Sequence, residues 1–271
     1  MDDTFAIVGS GHLAWHLSQL LEGPVVVVSR SGSPADWPVP IITHRELANY
    51  HLKAVFLAVP DNAIAGVSRR LSEILPPTLP VYHTSGATPL DRIDPYFTER
   101  GVLWPIRSLR LGEPVSDWRD LPLVVYASTT STRTLITAVA RALSDTVAYL
   151  DDEQRAQLHL AAVFSNNFVT ALYDVAHRLC QQADVPFDLL LPIMRHTAAQ
   201  QDGTPPRDRQ TGAAARGDTA TIDRHLALIT VPAYRDIYRS LTDLILQYRL
   251  PEHNADLRRD ADDDLQDEGI A

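Results

Sequence analysis

The chain has 271 residues, 45% of them apolar, and a formal net charge of −10 at pH 7. That length holds one large domain or two smaller ones, with an apolar share ordinary for a globular protein. The negative charge argues against nucleic acid, which demands a basic face, and no apolar run is long enough to span a bilayer.

Thr4 to Val8 reads as a short apolar strand that runs into Gly9-Ser10-Gly11-His12-Leu13-Ala14 and then into a helix. This is the G-x-G-x-x-A dinucleotide fingerprint. Gly9 permits the tight turn, Gly11 lets a pyrophosphate approach the backbone, and Ala14 lets the helix pack on the strand. The helix N-terminus offers N–H groups to the phosphates. His12 can donate to the pyrophosphate or lie on the loop surface. A second strand, Val25 to Val28, sits where a βαβ unit requires it. An NAD site usually follows that strand with an acid for the ribose 2′-hydroxyl. Here Ser29-Arg30-Ser31 follows, with no acid before Asp36. Arginine and two serines suit a 2′-phosphate, so the expected cofactor is NADP rather than NAD. The alternative makes Arg30 a solvated loop residue.

Thr43 to Glu46 fits a capping box that starts a short helix. Ala54 to Val59 is a continuous apolar run, as in a strand covered on both faces. It ends at Val59-Pro60-Asp61-Asn62, and a helix follows to about Leu75. Further strands are predicted at 79–82, 102–104, 123–126 and 147–150, with a helix from about Thr130 to Leu143. The rhythm implies a doubly wound parallel sheet, a Rossmann fold. Ligands bind such sheets at the carboxyl ends of the strands. Gly9, Ser29, Val59-Pro60, His83-Thr84-Ser85 and Trp104-Pro105 lie there.

After Leu150 the pattern is all helical. Asp151 caps a helix to about Gln182, with Leu158, Ala161, Ser165, Phe168, Leu172, Val175 and Leu179 on one face. Helices follow at about 188–199, from Asp218 through Ile229, and from Pro232 to about Tyr248. We divide the chain into an NADP-binding domain, 1–150, a helical dimerisation and substrate domain, 151–250, and an acidic disordered tail, 251–271. The single cysteine, Cys180, excludes an intrachain disulfide and a cysteine-based zinc site; its apolar helical setting marks a structural thiol. No metal is expected. The N-terminus lacks a signal-peptide pattern, so a cytoplasmic protein is expected.

The run Val59 to Ile64 resembles the third-strand exit of reductases related to pyrroline-5-carboxylate reductase and to the deazaflavin-dependent NADP reductases. Together with His83 to Ala87, Trp104 to Ser108, His159 to Phe168 and Gln210 to Asp218, it resembles a set of Rossmann-like NADP oxidoreductases with a C-terminal helical domain of unknown function. The resemblance covers nearly all of residues 4–250 and implies an NADP-dependent oxidoreductase, homodimeric through its helices, with no substrate attached. The chain departs from that set at His12, where the relatives often carry Asn; at Trp104, where a His usually precedes the proline; and at Ala213, where Pro is usual.

Hydride transfer needs the nicotinamide and one residue that supplies or accepts a proton. Lys53 is the only lysine and stands at the start of a strand, which removes the lysine mechanism of the related β-hydroxyacid dehydrogenases. His159 is the best replacement, sharing a helix face with Asn166. His83, at a strand end, and Ser85 complete the catalytic candidates. Asn166-Asn167 inside a helix is costly enough to suggest a site. Arg216 could hold a substrate carboxylate or pair with an acid at a dimer interface. The expected function is NADP-dependent hydride transfer to or from a small carbonyl, imine or oxo-acid compound, with no membrane partner and the active site between the domains. The alternative is a non-catalytic NADP-binding sensor or assembly protein.

Overall fold

The computed structural model describes residues 3–30 and 37–248. Ser31, one of the predicted cofactor contacts, and the predicted tail lie outside the described residues.

Eight strands form one sheet: β1 (Thr4–Val8), β2 (Val25–Val28), β3 (Ile41–Ile42), β4 (Leu52–Leu57), β5 (Val81–His83), β6 (Arg100–Pro105), β7 (Leu123–Ala127) and β8 (Val147–Tyr149). Their order is β3-β2-β1-β4-β5-β6-β7-β8. The strands are almost wholly apolar because both faces are covered. Side chains alternate between two cores. Ala6, Val8, Val55, Leu57 and Val81 point to one. Phe5, Ile7, Ala54, Phe56 and Tyr82 point to the other. The doubly wound sheet is therefore as expected, with one correction: β7 runs antiparallel to β6. A parallel return needs a crossover, usually a helix. Residues 106–122 contain no helix or strand, so the chain turns back directly. The two-residue β3, paired with β2, was not anticipated.

Helices α1 (His12–Leu20), α2 (Ile64–Ser72) and α3 (Thr130–Leu143) cover the sheet. The Thr43–Glu46 capping box is present with both bonds, and the segment it starts, His44–Asn49, is a 3₁₀ helix. Asp151 caps α4 (Asp152–Ala162), accepting from the Gln154 N–H. The predicted helix to Gln182 is interrupted. Residues Val163–Phe168 form a π-turn before α5 (Val169–Gln182). The wider turn breaks the i, i+3, i+4 register, so the predicted apolar face is not one stripe. Then come α6 (Leu191–Ala199), α7 (Ala213–Arg216), α8 (Thr219–Leu228) and α9 (Pro232–Gln247). Asp218 caps α8 and Pro232 opens α9, as expected. No strand follows β8 among the described residues.

The chain divides into two compact units, Met1–Val169 and a second from Thr170 onward. The division falls inside the long helical run rather than at residue 150, so α4 and the π-turn belong to the sheet unit. The second unit buries very little of itself: among its described residues only Ile229 and Thr242 are buried. No helix among the described residues is long and apolar enough to cross a membrane.

Candidate functional site

β1, β2, β4, β5 and β6 run parallel to one another, so their exits share one edge of the sheet. Two cavities open there.

The first, of about 530 Å³, is built on the glycine turn. Gly9 sits at φ +119°, and a Cβ on it would stand 2.2 Å from the Ala58 carbonyl oxygen. Only glycine fits. Its N–H donates to the Val28 carbonyl (2.9 Å), tying the turn to β2. Gly11 differs: a Cβ there would meet nothing within 4 Å. It is the residue just before α1, and no side chain caps that helix. Its first N–H groups are open to a ligand, with the positive end of the helix dipole behind them. Ala14 is fully buried.

Gly9, Ser10, Gly11, Ser29, Arg30, Val59 and Pro60 all line this cavity. His12, Leu13 and Ala14 do not. His12 instead meets the Leu109 carbonyl through Nδ1 (3.0 Å). One turn on, the buried His16 meets the Arg110 carbonyl through Nε2 (3.0 Å). These two imidazoles fasten the loop after β6 to the fingerprint helix. Three further residues complete the wall: Thr43, His44 and Arg70. His44 Nε2 is buried with no hydrogen-bond partner. Desolvation, then the Arg70 charge, holds the His44 ring below its ordinary pKa. Among the described residues, no Asp or Glu lines the cavity. Arg70 gave no sequence signal, since it lies 40 positions after Arg30 on another element.

The second cavity, of about 420 Å³, lies where the β6 exit meets α4 and the π-turn. Trp104, Ile106, Arg107 and Ser108 form one side, and His159, Ala162, Val163 and Ser165 to Asn167 the other. His159 tilts against Trp104, with ring centroids 5.6 Å apart. Asn166 Nδ2 donates to Ser108 Oγ (2.8 Å), joining the two sides. π-turns often occur at functional sites, and this one turns Asn166 and Asn167 towards the cavity wall. The backbone at Gly86 presses on the same rings: a Cβ there would lie 2.5 Å from Trp104 and 2.7 Å from His159.

Of the four catalytic candidates, His159 and Asn166 therefore come together. His83 and Ser85 line neither cavity. His83 is fully buried, and its Nδ1 accepts from the Ser85 N–H (3.2 Å). Ser85 Oγ accepts from the Thr88 N–H and donates to Thr88 Oγ1. These bonds close the turn that carries Gly86, so both residues position that turn. Burial, then the nearby Arg155, pushes the His83 pKa down to about 4; Asp152 and Asp61 oppose this weakly. Arg155 is itself 1% exposed, pairs with Asp152 and donates to the Thr88 carbonyl.

Because the folded pKa lies below the unfolded value near 6.5, His83 supports folding fully above pH 6.5. That support is lost as pH falls towards 4. Wild-type unfolding free energy should drop by up to about 3 kcal/mol over this range from His83. Chemical denaturation at each pH checks this: His83→Asn should flatten that part of the profile.

With this geometry in hand, comparison places the chain. Residues 121–245 match the family model Domain of unknown function (DUF2520). A Bacteroides fragilis protein, provisionally named an NADP oxidoreductase, has a similar structure: 29% identity, TM-score 0.81, covering 91% of this chain and 98% of that one. A Thermotoga maritima protein aligns at 20% identity and TM-score 0.68, covering 90% and 97%. Plasmodium falciparum pyrroline carboxylate reductase, with NADP bound, aligns at 8% identity and TM-score 0.57, covering 90% and 100%. The last two share the fold alone. No curated protein sequence matches the chain. The motif-based likeness to Rossmann-fold NADP oxidoreductases with a helical C-terminal domain is borne out by these neighbours.

Proposed function

We propose that the chain is an NADP-dependent oxidoreductase that moves a hydride between NADP(H) and a small carbonyl, imine or oxo-acid compound. The first cavity carries this reading. Its open glycine turn and uncapped helix suit a pyrophosphate. Arg30, Arg70 and the unpartnered His44 Nε2, with no acid among the described wall residues, suit a 2′-phosphate. A dinucleotide site selecting NAD would place a carboxylate where this chain has Ser29 and Arg30.

When bound, the nicotinamide supplies the hydride. In the second cavity His159 is the group able to hand over or take up the proton. Trp104 and the Gly86 backbone hold its ring in place. Asn166, fixed through Ser108, and Asn167 orient a polar substrate. Trp104 packs against His159, so the cavity keeps an imidazole on the wall opposite β6. A screen of carbonyl and imine compounds, followed by loss of reduced-nicotinamide absorbance, tests this. Turnover that falls at least about a hundredfold in His159→Phe is the expected result. NADPH binding without turnover of any compound would favour the sensor.

We also propose that a second copy covers the helical unit. A unit that buries almost nothing has no core of its own. Leu189, Ile193, Leu228, Ile237, Leu241 and Leu244 are all exposed, and a twofold pairing is the commonest way to cover such a surface. Light scattering at micromolar concentration should give the mass of two chains of 30.0 kDa each. A Leu241→Asp, Leu244→Asp double variant should shift towards monomer and lose stability. A monomeric wild type would contradict the pairing.

A further inference from the structure

We infer that the second cavity is an anion subsite that takes the carboxylate of a small organic acid, with Arg107 as its anchor. The subsite belongs to the oxidoreductase proposed above and rests on that reading. It narrows that substrate class to the members that carry a carboxylate.

Among the described residues, Arg107 is the one arginine on the cavity wall, and no Asp or Glu lies there with it. It forms no ion pair among the described residues. A cleft lined by one sign of charge concentrates ligands of the other.

The backbone that carries the anchor is held. The Ile106 N–H donates to the Pro122 carbonyl (2.9 Å) and the Arg107 N–H to the Pro105 carbonyl (3.0 Å), which fixes the turn at the end of β6. A guanidinium presents a planar fork that matches a carboxylate in bidentate fashion. Ser108 Oγ accepts from Asn166, which leaves its own hydroxyl hydrogen to donate to the same anion. Trp104, Ile106, Ala162 and Val163 supply an apolar wall for the rest of the molecule. The volume suits a small ligand rather than a polymer.

The test is calorimetric titration of the full chain, with and without NADP⁺, by pyruvate, 2-oxobutyrate and phenylpyruvate, each beside its neutral amide. At least one acid should bind about tenfold or more tighter than its amide. Arg107→Met should abolish that preference while NADP⁺ affinity stays within about twofold, and Arg107→Lys should keep part of it. Failure of every acid to bind, equal binding of acid and amide, or a preference that survives Arg107→Met overturns the subsite. So does loss of NADP⁺ binding in Arg107→Met, which would assign the cation to the cofactor. If NADP⁺ does not bind the wild type but an acid binds the unloaded chain through Arg107, the subsite stands and the dinucleotide reading falls.

Discussion

Gly9→Ala should cost both the fold and the dinucleotide, whereas Gly11→Ala should cost the dinucleotide alone. At position 9 the backbone sits at φ +119°, and the added methyl would stand 2.2 Å from the Ala58 carbonyl oxygen. That contact is backbone on the exit of β4, where the Ala58 N–H already donates to the Val8 carbonyl (2.9 Å). Neither partner can swing away, so β1 and β4 must part at their ends. Strain at positive φ of about 1–2 kcal/mol and overpacking of about 1–3 kcal/mol together predict a loss of about 2–5 kcal/mol in urea unfolding. Affinity for NADPH should fall beyond detection. At position 11 the same methyl meets nothing within 4 Å, and φ is −88°, ordinary for any residue. Unfolding should stay within about 0.5 kcal/mol of wild type, since nothing of the named kind is disturbed. NADPH affinity should fall tenfold or more, because the methyl occupies the space a pyrophosphate needs. Equal stability losses in the two variants would contradict this division of labour.

The second large effect concerns which dinucleotide binds. Arg30 and Arg70 come from different elements, the β2 exit and α2, yet line one cavity with His44, and no acid among the described residues lines it. Hydrogen bonds to a charged group contribute roughly 1.5–3 kcal/mol each. Both arginines are largely exposed, so the low end applies, about tenfold per arginine. Arg30→Ala with Arg70→Ala should weaken NADPH by about a hundredfold. NADH, which lacks the 2′-phosphate, should change by less than about threefold. Parallel titrations of both dinucleotides read this directly. A double variant that loses both equally would mean the arginines support the turn and do not read the phosphate.

The sheet half of the molecule was legible because its signals are local. Continuous apolar runs mark covered strands, Gly9 marks a turn only glycine makes, and Thr43 with Glu46 marks a capping box. Strand direction is not local. Nothing within Leu123 to Ala127 says that it runs against β6; that follows from the helix-free connection at 106–122. Ile41–Ile42, preceded by Pro38 and Pro40, was too short to carry an alternating pattern. In the site, the Asn166-Asn167 pair stood out as poor helix formers, but the π-turn that accommodates them was not readable. His83 stood at a strand end beside the expected site, and periodicity could not tell a ring facing a ligand from one sealed under a turn. Arg107 sat inside the Trp104 to Ser108 motif without a role, and only the fold brings it beside His159 and Asn166. Arg70 and His44 were invisible for the same reason: their partners are distant in sequence and near in space.

The most direct test of the central claim is calorimetric titration of the unmodified chain with NADPH and with NADH. The cavity built by Gly9, Gly11, Arg30, His44 and Arg70 predicts NADPH binding with a preference of tenfold or more over NADH. Equal affinity for the two would remove the phosphate reading, and no binding of either would contradict the dinucleotide site altogether.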